Sequence, residues 1–157
     1  MLKQLEATFE NAIALHKLVN SIDLCEYLPI KAKTIEDEKK YLDEMNSDIH
    51  KMIHWIYKDD ELVWVITVES SYLLWDTPVA ELGVWTTVRW TANQSMKEIE
   101  QILKNLWIKR IECIVDIENS NCIKMLNKLW YTRDMEIKWY RTVCEKSRDV
   151  YLYYKHI

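Results

Sequence analysis

The stretch Asn119–Asp134, NSNCIKMLNKLWYTRD, decides the fold. Asn-Ser-Asn followed by apolar residues at Ile123, Met125, Leu126 and Leu129 reads as a capped amphipathic helix. From Tyr131 onward the residues alternate as in a strand. Between the two, the backbone must leave the helical conformation within one residue. Such a position is usually left-handed and usually glycine, because a Cβ is penalised there. Here it is Trp130. The helix must stop at that point for the following strand to rejoin a sheet beside RIECIVDI, Arg110–Ile117, a near-continuous apolar run of the kind found in a central strand.

Working outward, the same patterns recur. Leu2–Leu5 is a short first strand. Ala12, Leu15, Leu18 and Val19 form the apolar stripe of a helix over Thr8–Asn20. DLCEYLPIKAKT breaks it, with Pro29 as punctuation, and Thr34 caps a second helix whose first turn is acidic, as the helix dipole favours. KMIHWIYKDDELVWVITVES is a hairpin turning at Asp59-Asp60, and TPVAELGVW is a further strand. SMKEIEQILKNL places Met96, Ile99, Ile102, Leu103 and Leu106 on one helical face. Strands follow near Tyr131–Ile137 and Asp149–Lys155. The order is β-α-α-β-β-β-α-β-α-β-β, an α/β mixture with an antiparallel three-strand run inside it. With no linker, repeat or low-complexity segment, residues 1–157 read as one domain.

Composition sharpens the question that Trp130 poses. The chain has one glycine and eight tryptophans, where ordinary usage of about 7% would give roughly eleven glycines. Most of these tryptophans sit where glycine would serve the backbone. Trp107 and Trp130 each follow a helix by one residue past a Leu. Trp64 interrupts a hairpin strand, Trp75 lies between strands, Trp90 precedes the Met96 helix, and Trp139 falls in a predicted turn. Two readings stand. A UGA codon that means glycine has been read as tryptophan, or the tryptophans are natural. Trp85 is the residue expected to be genuine.

With glycine at these sites, ELV[G]VI, AELGV, R[G]TANQSM, NL[G]IKRIECIVDIENSNCIKMLNKL[G]YTRD and the closing SRDVYLYY resemble a GNAT-fold N-acetyltransferase, closest to the ribosomal-protein N-terminal acetyltransferase branch. The resemblance runs over roughly the whole chain and is strongest over Val63–Tyr154. It implies a mixed, mostly antiparallel central sheet flanked by about four helices. It also implies an acetyl-CoA-dependent enzyme that acetylates a primary amine, a protein N-terminus or a small molecule, by direct attack in a ternary complex.

The resemblance assigns roles residue by residue. Arg89, Trp90, Thr91, Ala92, Asn93 and Gln94 match the loop that holds the cofactor pyrophosphate. Backbone N–H groups and a helix N-terminus suit such an anion whatever the family. Position 90 departs from the family by carrying Trp, and Ala92 stands where a glycine is common. Ala80–Trp85 matches the strand that lies along the pantetheine arm. There Gly83 fits a bulge or a close backbone approach, a backbone N–H near Val84 faces the developing oxyanion, and Trp85 follows on the same strand. Glu81, in phase with Gly83, fits a general base, which an amine titrating near ~8 to ~10 requires. Asn119 matches the family's Asn beside the CoA sulfur. Cys122 stands where the ribosomal branch often has Ser and fits a proton donor to the departing thiolate, since the usual Tyr position is Leu126. The blander readings are a solvated Glu81, an Asn119 that only caps its helix, and a Cys122 that only packs.

Other features bound the function. No apolar run is long enough to span a bilayer. A net charge of −4 disfavours a nucleic-acid partner. Cys25, Cys113, Cys122 and Cys144 lack metal-ligand spacing and read as free thiols of a cytoplasmic protein. No metal is expected. The alternative function is a non-catalytic GNAT-like acyl-CoA-binding or scaffold domain, favoured if Trp90 and Trp130 crowd the cofactor end of the sheet.

Overall fold

The computed structural model describes residues 3–4, 6–20, 34–58, 61–73, 77–86, 92–143 and 145–157. The strands are β1 (Lys3–Gln4), β2 (Lys51–Lys58), β3 (Glu61–Leu73), β4 (Thr77–Thr86), β5 (Arg110–Asp116), β6 (Thr132–Val143) and β7 (Lys146–His156). The helices are α1 (Phe9–Val19), α2 (Ile35–Ser47), α3 (Ala92–Asn105) and α4 (Ser120–Lys128). Their order along the chain is the one the periodicity predicts. The turn at Asp59-Asp60, the break over residues 23–33, and Trp75, Cys25 and Cys144 lie outside the described residues.

One seven-stranded sheet runs in the order β1-β2-β3-β4-β5-β7-β6. Every neighbouring pair is antiparallel except β4 and β5. On one face α1 and α2 close a core of Ala12, Leu15, Leu18, Leu42, Met45, Ile53, Trp55 and Val65. On the other, α3 and α4 pack Met96, Ile99, Leu103 and Leu126 against Ile66, Val68, Ala80, Leu82 and Ile111. Met96, Ile99 and Leu103 are fully buried, each stabilising the fold by roughly 1.5–3 kcal/mol. The caps follow the sequence signals. Thr8 Oγ1 accepts from the Asn11 N–H, and Thr34 and Asp37 form a reciprocal capping box.

Both predicted helix stops hold. Trp107 and Trp130 have φ of 64° and 66°. Each sits in a Schellman arrangement: Trp107 N–H donates to Lys104 O and Ile108 N–H to Leu103 O, while Trp130 N–H donates to Asn127 O and Tyr131 N–H to Leu126 O. The predicted turn at Trp139 is a correction. The strand β6 continues through it to Val143, and Trp139 forms a bulge at φ 52°. Ile137 pairs with Val150 and Arg141 with Arg148, so three residues of β6 oppose Asp149 alone. Asp149 closes the bulge, accepting from the Trp139 N–H at 2.9 Å and from Lys138 Nζ at 3.0 Å. A glycine-like signal therefore marked a kink inside a strand, not the end of one. Trp64 sits beside another irregularity, a register shift between its pairing with Ile56 and that of Leu62 with Tyr57.

Candidate active site

The site starts from a ladder that stops early. Parallel pairing between β4 and β5 comprises Val79–Arg110, Ala80–Ile111 and Glu81–Glu112. Both strands run on, β4 to Thr86 and β5 to Asp116, without pairing to each other. The far side of β4 stays paired with β3 as far as Thr86, and the far side of β5 stays paired with β7 as far as Asp116. A wedge-shaped gap thus opens beyond Glu81, edged by β4 backbone that an extended, amide-bearing ligand can pair with. The bulge expected at Gly83 is absent. Gly83 pairs regularly with Thr67 and its φ is not positive. The wedge comes from divergence of β4 and β5, not from a kink in β4.

Glu81 is the last rung before the gap. It pairs with Glu69 on β3 and with Glu112 on β5, and directly opposite residues share a face. Three carboxylates therefore line up across the sheet. Partial burial first, then the charges of Glu69 and Glu112, raise the Glu81 carboxyl above its ordinary value. Lys51 Nζ lies 3.9 Å from Glu69, and Arg110 Nε donates to Glu112 at 2.7 Å. Both partner carboxylates thus have a cation beside them, and no ion pair involving Glu81 is found among the described residues.

Ala80 and Leu82, which flank Glu81, face the other way, into the core under α3 and α4. Cys122 of α4 packs against that core. Glu81 and Cys122 therefore lie on opposite faces of the sheet. Burial pushes the Cys122 thiol up to about 11, so it keeps its proton at neutral pH. Asn119 is the N-cap of α4, its Oδ1 accepting from the Cys122 N–H at 3.1 Å. The capping reading is thus met, and the same bond fixes Asn119 and Cys122 to each other.

Ala92, Asn93 and Gln94 form the first turn of α3, the helix that follows β4 in the chain. Their N–H groups belong to the set that has no partner within a helix, so this turn suits an anion. Arg89, Trp90 and Thr91 lie outside the described residues. Val84 and Trp85 are on β4 beyond the last rung, paired on the β3 side with Ile66 and Val65. The sequence reading missed Glu69 and Glu112, whose role depends on register, and also a brace behind Asn119. Buried Asp116 accepts the Asn119 N–H on its carbonyl at 3.0 Å and the Glu118 N–H on Oδ1 at 2.9 Å. Arg148 ion-pairs with Glu118 and stands 3.8 Å from Asp116.

No family model and no curated protein matches the chain. Solved structures do. A spermidine N-acetyltransferase from Vibrio cholerae, solved with CoA and spermine, has a TM-score of 0.85 at 13% identity, with 99% of this chain and 94% of that chain covered. A ribosomal-protein-S5-alanine acetyltransferase from Vibrio fischeri has a TM-score of 0.83 at 14% identity, covering 99% and 91%. A GNAT-family acetyltransferase from Streptococcus pneumoniae has a TM-score of 0.79 at 15% identity, covering 100% and 98%. The fold is that of the GNAT acetyltransferases, including those that modify ribosomal proteins.

Proposed function

We propose that this chain is an acetyl-CoA-dependent N-acetyltransferase acting on a primary amine. The observation that carries the reading is the β4–β5 ladder ending at Glu81–Glu112 while both strands continue. The residues present fit the donor: an unpaired strand edge for the pantetheine arm and a helix N-terminus for the pyrophosphate. When bound, acetyl-CoA supplies the activated acyl group.

The chain's residues do the rest. The α3 first turn, with Arg89 beside it in sequence, binds the pyrophosphate. A β4 N–H near Val84 stabilises the acetyl oxygen as charge develops on it. The amine enters from the Glu81 face, where three carboxylates attract its protonated form, and Glu81 takes the proton to release the lone pair. The nitrogen then attacks the thioester directly; as the C–N bond forms and the C–S bond breaks, the second proton that the nitrogen must lose passes to water, and water in turn protonates the departing sulfur. Cys122 donates an S–H hydrogen bond to the departing sulfur. Burial holds the Cys122 thiol well above an ordinary thiol, so full transfer of its proton to the departing thiolate is uphill and water supplies the proton.

The acceptor is a protein N-terminal α-amine or a cationic small molecule. An assay of thiol release from acetyl-CoA, run with short peptides and with diamines and polyamines, tests the reading. Amine-dependent release with acetylated product is expected. Absence of product across both sets, in a protein whose binding of CoA is measured by calorimetry, overturns the enzymatic reading.

A further inference from the structure

The tryptophans fall into two structural kinds. Four non-glycine residues among those described have a left-handed backbone: Trp107, Trp130, Trp139 and Glu145. Left-handed backbone is found in only a few per cent of non-glycine residues, chiefly Asn, Asp and His, and a bulky residue there is an outlier. Three of four falling on one uncommon, bulky residue type needs a cause.

Packing does not supply it. The three side chains are 76%, 84% and 82% exposed. A large indole held in a disfavoured conformation is normally retained by burial or by a bound partner, because strain persists only where the surroundings over-determine it. The hydrogen bonds here that fix the left-handed geometry are all backbone N–H groups: the two Schellman pairs and the Trp139 bond to Asp149. They ask for a residue free to adopt positive φ and are indifferent to the indole. Trp55 is the counter-case. It is 5% exposed, packs in the core under α1 and α2, and has no left-handed backbone.

We infer that glycine is the residue made at positions 107, 130 and 139 in the organism of origin, through a UGA codon read there as glycine, and that Trp55 is a true tryptophan encoded by UGG. This inference stands independently of the proposed activity. It also goes beyond the glycine count, because backbone and burial sort one tryptophan from another.

Two measurements test it. The gene is sequenced at the four codons, with UGA expected at 107, 130 and 139 and UGG at 55. UGG at any of the first three overturns the inference for that position. Separately, Trp107→Gly, Trp130→Gly, Trp139→Gly, the triple variant and Trp55→Gly are melted beside the chain with all eight tryptophans. Relief of a left-handed Cβ penalty raises Tm by ~2–4 °C per site in a domain of this size, and Trp55→Gly lowers Tm or abolishes soluble expression. If the chain with all eight tryptophans does not fold, recovery of a cooperative transition in the triple variant supports the inference, and a triple variant that is equally unfolded counts against it. A lower Tm in the three single variants overturns it.

Discussion

Glu81 is an ordinary strand residue until its neighbours are counted. Register puts Glu69 and Glu112 beside it, and together with partial burial they raise its carboxyl. A raised carboxyl is a stronger base, and it is also protonated earlier as pH falls. The rate is therefore expected to decline on the acid side as pH drops through that raised value. Glu81→Gln lowers kcat by ~10²-fold or more and removes this limb while leaving CoA affinity intact. An acid limb unchanged in Glu81→Gln would assign it to another group. Glu69→Gln removes one of the raising charges, so the limb moves to lower pH, which a pH–rate profile reads directly. The same shift fixes the sign for stability: Glu81 binds its proton more tightly when folded, so its contribution is greatest at low pH and is lost as pH rises through the folded value. Cys122→Ala costs less activity than Glu81→Gln, because the thiol near 11 contributes a hydrogen bond and little net acidity. That Glu81 lies on a strand and that Asn119 caps a helix were legible in the sequence, because alternation and capping are local patterns; the site roles of Glu81, Asn119 and Cys122 were implied by the family resemblance alone. Glu69 and Glu112 were not legible, since a partner twelve or thirty-one positions away is set by pairing alone.

At the scale of elements, both helices of the second face were legible to within a few residues, because one apolar stripe of period 3.6 fixes each. The latch between α3 and β7 was not. Lys155 Nζ of β7 bonds both oxygens of Glu100 on α3, at 2.9 and 2.8 Å, and lies 5.3 Å from the ring centre of buried Tyr131. Glu100 alone reads as one more charge on an amphipathic helix. Removing one partner leaves the other buried charge uncompensated. Lys155→Met is therefore expected to destabilise by roughly 3 kcal/mol, and Glu100→Gln combined with it to recover part of that loss. Urea unfolding of the two singles and the double measures the coupling, and additive losses would show that the pair does not latch α3 to β7. β6 was misread for a related reason. A bulge and a turn both call for a left-handed residue, and only the resumed pairing of Arg141 with Arg148 tells them apart.

For the molecule as a whole, the two cores lie on opposite faces of one sheet and meet the wedge differently. The core under α3 and α4 includes Ala80 and Leu82, the residues on either side of the last rung, whereas the core under α1 and α2 includes neither. A ligand that pairs with the β4 edge and caps α3 thus ties together β4, β5, α3 and α4, elements that the sheet leaves unpaired along the gap. If the proposed site holds CoA and binds it only in the folded state, CoA is expected to stabilise by mass action, by ~2.7 kcal/mol at a hundred times Kd. In a domain of this size that is a rise in Tm of ~5–10 °C. The rise should be shared by acetyl-CoA and CoA, since both carry the pyrophosphate and pantetheine, and should shrink for pantetheine alone, which lacks the anion that the α3 N-terminus favours. It should also depend on how well α4 is anchored. Asn119→Ala removes the cap that accepts from Cys122, costing ~1 kcal/mol in the unliganded protein. If Asn119 also lines the wedge, the same change weakens CoA beyond that uniform loss, so the ligand-induced rise in Tm falls below that of the parent at equal CoA. A rise in Asn119→Ala equal to the parent's would make Asn119 a helix cap and nothing more.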